Sequence, residues 1–193
     1  MSRWVNSYGI TISAITGVGN KLNSIGMIFS GAIGTSASAM ISQCIGAKKY
    51  ERVGGTVFTA GCIAVGVAAL LSAIVAVFPR AVFGIFSNDA ALLEMASEYK
   101  YVVVVMFLSS AFRAPMNGLI NGSGKSTLNL LLAVLDGLVG HIGLAALLGF
   151  GLNLGVTGLW YGSAVAGYIP FFVGLVCYFT GSWKNSGKRE KQW

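Results

Sequence analysis

The sequence predicts an all-α membrane protein, a bundle of about six transmembrane helices with the first one incomplete. Three observations predict it. Only 10 % of the 193 residues are charged and 55 % are hydrophobic, whereas a soluble domain carries about 25 % charged residues, so most of this surface must meet lipid. Charge is absent over long runs: Lys21 to Lys48, Arg52 to Arg80, and Asp136 to Lys184. Those runs are apolar all round and rich in Gly and Ala, without the period-two alternation that barrel strands need. Mean hydropathy is +0.74.

The charges punctuate the elements. A crossing helix needs about 20 mainly apolar residues to span roughly 30 Å of hydrocarbon. This places spans near 24–47, 54–79, 101–122, 127–150 and 156–182. The opening stretch Trp4–Gly19 is 16 residues long, about 24 Å of helix, too short to cross. It has neither the charged start nor the cleavage site of a secretory signal peptide. It reads as the back half of a further span, near 4–19, with Lys21 in the loop that follows. The segment Arg80–Lys100, carrying Asp89, Glu94 and Glu98, reads as a short amphipathic connection. Residues 1–183 then form one helical lobe and 184–193 a basic tail.

Basic residues orient such a chain, being enriched in cytoplasmic connections. With Arg3 inside and the spans alternating, nine basic residues fall inside: Arg3, Lys48, Lys49, Arg52, Lys125, Lys184, Lys188, Arg189 and Lys191. Three fall outside (Lys21, Arg80, Lys100), and Arg113 lies in the membrane. Both termini are expected in the cytoplasm, at the plasma membrane. The net charge of +7 is therefore a topology signal. It forms no aromatic-flanked basic stripe, so nucleic acid is not an expected partner.

Catalysis has little to stand on. Gly122-Ser123-Gly124-Lys125-Ser126 resembles the end of a P-loop, but the glycine required five places before Gly124 is Leu119, and no strand precedes it. A tight glycine turn between two spans is the simpler reading. Cys44, Cys62 and Cys177 sit singly in apolar runs and read as core or lipid-facing residues, not a disulfide framework or metal site. No nucleophile–base pair or metal spacing is evident, and neither an enzyme nor a bound cofactor is expected.

Polar residues inside the membrane are the informative ones. Ser109, Arg113, Asn117 and Asn121 recur every four residues and share one face, on a helix that Pro115 should kink by depriving the Ala111 carbonyl of its donor. That face is either a substrate or gating surface or a buried packing face. On the next helix Asn129, Ala133, Asp136, Gly140 and Gly143 share a face. Asp136 is the one intramembrane carboxylate, and it either pairs with Arg113, handles a cation or proton, or does both at different stages. His141, five residues on, falls about 140° round an α-helix from Asp136, so the two make no same-face dyad. Gly31, Thr35, Ser38 and Ser42 line another helix that has Gln43 near its inner end. Gly118/Gly122 and Gly158/Gly162 are GxxxG packing pairs. Pro170 should bend the last span, freeing the Ala166 carbonyl.

The run Gln43-Cys-Ile-Gly-Ala-Lys-Lys-Tyr-Glu-Arg52 resembles the Gln-x-x-Gly-Ala-x-x-x-x-Arg signature that closes the second helix of each lobe in multidrug and toxic compound extrusion (MATE) transporters. Arg113-Ala-Pro-Met-Asn-Gly-Leu-Ile-Asn-Gly-Ser-Gly124 is similar to the lobe's fourth helix. Leu135-Asp-Gly-Leu-Val-Gly-His-Ile-Gly-Leu144 and Gly155-Val-Thr-Gly-Leu-Trp-Tyr-Gly162 resemble the fifth and sixth, and Val5-Asn-Ser-Tyr-Gly9 the end of the first. With its basic tail the chain resembles the carboxy-terminal lobe, helices seven to twelve.

The resemblance implies efflux of small organic, cationic or amphipathic solutes driven by sodium or proton entry, with two lobes rocking about the substrate. Some members couple through acids on the seventh and tenth helices, but Arg3–Asn20 and Val102–Gly124 hold none here. Asp136 is instead nominated on its own chemistry as the coupling candidate, with Arg113, Asn117, Asn121 and Gln43 as pathway or gating candidates. The partners expected are the bilayer and either the missing amino-terminal lobe or a second copy in a half-size homodimer. The alternatives are a flippase for lipid-linked sugars, which Arg113 as the sole membrane cation argues against, and a scaffold without transport.

Overall fold

Where charge runs out, helices form. The structure, a computed structural model, describes residues 9–87, 89–151 and 155–184. Helix α1 spans Ile10–Gly46, α2 Glu51–Val77 and the short α3 Pro79–Gly84. Helix α4 spans Ala90–Gly122. Helix α5, Ser126–Val134, runs straight into wider π-helical turns at Leu135–Leu144 and Leu147–Gly151. The chain closes with α6, Gly155–Ala166, and α7, Ile169–Phe179. Five helices are long and apolar enough to cross a membrane: α1, α2, α4, the α5–π helix, and α6 with α7. The all-α membrane fold is as expected from composition.

One boundary differs from the sequence-based reading. No loop separates 4–19 from 24–47; α1 is a single 37-residue helix, about 55 Å long. Residues 4–8 lie outside the described residues. Nothing around Gly19–Asn23 breaks a helix: Ser24 Oγ donates to the Asn20 carbonyl at 2.9 Å, and Val18 and Leu22 are buried on one face. Lys21 points outward on that same helix, its ammonium 5.7 Å from the centre of the Phe86 ring. A snorkelling lysine marks a depth in the membrane and not a break in the helix.

Helix α4 likewise starts well before position 101. Asp89 caps it, Oδ1 accepting from Ala91 N–H at 3.0 Å, and Leu92, Ala96 and Tyr99 bury the first three turns. Glu94 and Glu98, expected in a connection, are on the exposed face of α4. In the last span the bend falls where Pro170 led one to expect it, as a break at Gly167–Tyr168 with Pro170 in the first turn of α7.

Helix α4 is the axis of the bundle. In its most apolar stretch 67 % of residues are buried, against 17–33 % in the other spans, and it packs on α1, α2, α6 and α7. Lipid supplies no hydrophobic drive between helices, so close approach must come from small residues. Both GxxxG pairs serve this. A Cβ on Gly118 would lie 2.8 Å from Ala37 Cβ, and one on Gly122 2.7 Å from the Ser38 carbonyl on α1. On α6, a Cβ at Gly162 would meet Ala145 Cα at 2.6 Å, and Gly158 faces the Leu148 carbonyl. Large apolar side chains such as Phe58, Leu130, Leu138 and Phe179 project outward, as a lipid-facing surface requires.

Two turns end in the same hydrogen-bond pattern. After α1, Lys49 N–H donates to the Cys44 carbonyl (2.8 Å) and Lys48 N–H to that of Ile45 (3.0 Å). After α4, Lys125 N–H donates to Ile120 (3.3 Å) and Gly124 N–H to Asn121 (3.0 Å). Both are Schellman motifs with a left-handed residue, Lys48 at φ 58 and Gly124 at φ 70. The P-loop-like string is therefore a helix stop. These turns and the end of α7 meet at one end of the bundle: Lys125 Nζ donates to Ser182 Oγ, and the Trp183 ring lies 6.0 Å from Tyr50.

Gly9, at the start of the 37-residue α1, and Lys184, next to the Trp183 that packs on Tyr50, lie at opposite ends of the bundle. The basic turns at Lys48–Arg52, Lys125 and Lys184 keep a common side. Arg3 and residues 185–193 of the expected tail lie outside the described residues.

Candidate functional site

A cavity of about 440 Å³ opens between α1, α4, the Leu135–Leu144 π segment and α6. Its floor is the face of α4 that the four-residue spacing predicted. Ser109, Arg113, Asn117 and Asn121 all line it, with Tyr99 and Met106 nearer the α4 N-terminus. Arg113, Asn117 and Asn121 turn toward the cavity. Ser109 and Ser110 are both buried and turn their hydroxyls back to the Met106 carbonyl, at 2.8 and 3.0 Å. Ser30 Oγ reaches across from α1 to the Ser110 carbonyl at 2.6 Å, tying the two walls together.

The opposite wall is α1, and sequence reasoning missed it. Ser13, Thr16, Asn20 and Asn23, at spacings of three and four on one face of a helix, line the cavity together with Ser30 and Thr35 further along. The period was legible in the chain, but weighting Lys21 as a loop cut the stripe in two. Trp160 on α6 closes one end. Its indole N–H donates to Thr16 Oγ1 at 2.8 Å, and its ring stands edge-on to Tyr99 at 4.7 Å.

Asp136 does not line the cavity. It is 6 % exposed and lies behind Arg113, whose Nη1 donates to Oδ2 at 2.7 Å. The pairing with Arg113, one of the readings the sequence left open, is present. Asp136 Oδ1 is buried with no hydrogen-bond partner among the described residues. His141 does line the cavity. The 140° separation assigned to it assumed an α-helix, whereas Leu135–Leu144 winds with i→i+5 bonds, so that angle does not apply. The outcome is a split, with the imidazole at the wall and the carboxylate behind it. Gln43 is not brought to the cavity. It is exposed near the end of α1, its carbonyl accepting from Ala47 N–H at 2.9 Å.

The small residues about Asp136 explain its burial. A Cβ on Gly140 would meet Ile169 Cδ1 at 2.9 Å and Ala166 Cβ at 3.1 Å, so α6 and α7 close over this stretch. Such a cavity can bind an organic solute by several hydrogen bonds and one cation, with aromatic and thioether surface at one end.

Comparison with known proteins agrees with this architecture. The MatE family model matches residues 1–147. The chain is 32 % identical over 115 residues to the probable multidrug resistance protein NorM of Synechococcus sp., covering 55 % of this chain and 25 % of NorM. It is 25 % identical over 176 residues to the multidrug and toxin extrusion protein 2 of Mus musculus, covering 89 % of this chain and 30 % of that protein. The fold matches the crystal structure of the eukaryotic MATE transporter AtDTX14 with a TM-score of 0.75 at 22 % identity, over 93 % of this chain and 39 % of that one. The chain thus spans about a quarter to a third of the length of the curated relatives it matches. With a family model covering most of its residues, it belongs to the MatE family, whose members are multi-pass membrane transporters.

Proposed function

We propose that the chain forms one lobe of an efflux antiporter for small amphipathic organic solutes, driven by sodium or proton entry. It works with a second lobe, either the remainder of a longer chain or a second copy of itself. The observation that carries this reading is the polar cavity inside an apolar bundle, with Arg113, Asn117 and Asn121 on its floor. Intramembrane polar residues are expensive and mark solute pathways. Asp136 is the candidate for ion coupling: it is a buried carboxylate, and its Oδ1 has no hydrogen-bond partner among the described residues. The basic turns at Lys48–Arg52 and Lys125 favour the cytoplasm for that end of the bundle.

Efflux of a fluorescent dye from cells lacking their own pumps tests this. The chain is expressed alone and together with an amino-terminal MatE lobe, under an imposed sodium or proton gradient. Gradient-dependent efflux is expected when a second lobe is present. Efflux by the chain alone identifies the half-size homodimer, and no efflux in either case overturns the reading.

A further inference from the structure

We propose that this cavity selects amphipathic organic anions over organic cations, seating a carboxylate against Arg113 and Asn117 and an aromatic body against Met106. The proposal rests on the transport reading above and names its substrate class. Among the described residues that line the cavity, Arg113 carries the one formal charge and no Asp or Glu is present. The carboxylate that balances it is on the far side: Asp136 binds Nη1 through Oδ2 and is 6 % exposed. The ion pair therefore presents its positive pole to the cavity.

A guanidinium has five N–H donors in a planar fork, and its pairing with Asp136 is through Nη1 alone. The rest of the fork is matched to a carboxylate. Asn117, one turn along α4, adds amide donors. A solute cation would meet the guanidinium with no wall carboxylate to offset it, in a low-dielectric site that strengthens the repulsion. Met106 and Arg113 are seven residues apart on α4, about 10 Å, which suits a bicyclic aromatic acid.

The test is calorimetric titration of the full chain in phosphatidylcholine nanodiscs, with empty discs correcting for partition. The probes are 2-naphthoate and 2-naphthylmethylammonium, alike in shape and opposite in charge. Naphthoate is expected to bind at least tenfold more tightly. Arg113→Gln should abolish the preference. Asn117→Ala, which leaves the ion pair intact, should weaken naphthoate several-fold and leave the ammonium unchanged. Asp136→Asn should keep or tighten naphthoate binding, since it frees the guanidinium. Equal or tighter binding of the ammonium overturns the proposal, as does binding of neither probe or insensitivity of both to Arg113→Gln and Asn117→Ala. Dye efflux is scored separately. Its loss with naphthoate selectivity intact rejects the transport reading alone, and its presence with ammonium preferred rejects this proposal alone.

Discussion

Arg113 and Asp136 hold opposite charges at 2.7 Å in a low-dielectric interior, with Asp136 almost fully buried. Removing one partner strands the other, at a cost of about 3–5 kcal/mol. Asp136→Asn and Arg113→Gln should each lower the unfolding temperature in detergent, and the double mutant should recover part of the loss. Strictly additive losses would show that the two do not interact energetically. Lys48 offers a second residue-scale test. It occupies the left-handed position of a Schellman turn at φ 58, where the matching turn after α4 has Gly124. A side chain there costs roughly 1–2 kcal/mol, part of which glycine's own entropy returns. Lys48→Gly should stabilise by about 0.5–1 kcal/mol, and Gly124→Lys should destabilise; thermal unfolding of both variants reads the signs. At this scale the sequence was most informative. A lone arginine, an aspartate and spaced asparagines in apolar runs stand out because lipid tolerates so few of them. Gln43 stood out equally, but a polar residue near a helix end can face water, and depth alone does not tell a wall from a rim.

Helices α1 and α4 show what spacing of charges hides. Lys21, Glu94 and Glu98 were weighted as loop markers, yet all three are exposed residues on helices that exceed the roughly 30 Å hydrocarbon core. The lower-contrast signal, Ser13, Thr16, Asn20 and Asn23 at spacings of three and four across Lys21, was the informative one. Proline discriminates the two readings: Asn20→Pro would be tolerated in a loop but should cost about 3 kcal/mol in a helix interior. A small effect on thermal stability would reinstate the loop. Glycine contacts make a second element-scale prediction. Gly122→Val places a methyl-bearing Cβ against the Ser38 carbonyl, where backbone cannot yield, whereas Gly31 has open space around it. The first should destabilise by about 1–3 kcal/mol, and Gly31→Ala should be neutral or slightly stabilising. Equal effects would mean that α1 and α4 do not approach as described.

For the whole molecule, the continuity of α1 across Lys21 decides which topology to expect. With Lys21 in a loop, a partial first span and five further spans alternate, and the chain's ends share a side. With α1 continuous, the described residues hold five helices able to cross, and Gly9 and Lys184 lie at opposite ends of the bundle. The common side of the other basic turns is unaffected, because every connection after Gly46 keeps its order; contacts of Lys125 with Ser182 and of Tyr50 with Trp183 hold that end together. Single cysteines in a background with Cys44, Cys62 and Cys177 replaced by alanine test this directly. Ile10 is 91 % exposed, and Ser87 and Lys49 lie in connections on opposite sides of the bundle. If the basic end is cytoplasmic, an impermeant maleimide applied to intact cells should label Ile10→Cys and Ser87→Cys and spare Lys49→Cys until the membrane is opened. Protection of Ile10→Cys together with Lys49→Cys would restore the topology with a loop at Lys21. Labelling of Lys49→Cys with protection of the other two would invert the lobe in the membrane, leaving α1 continuous.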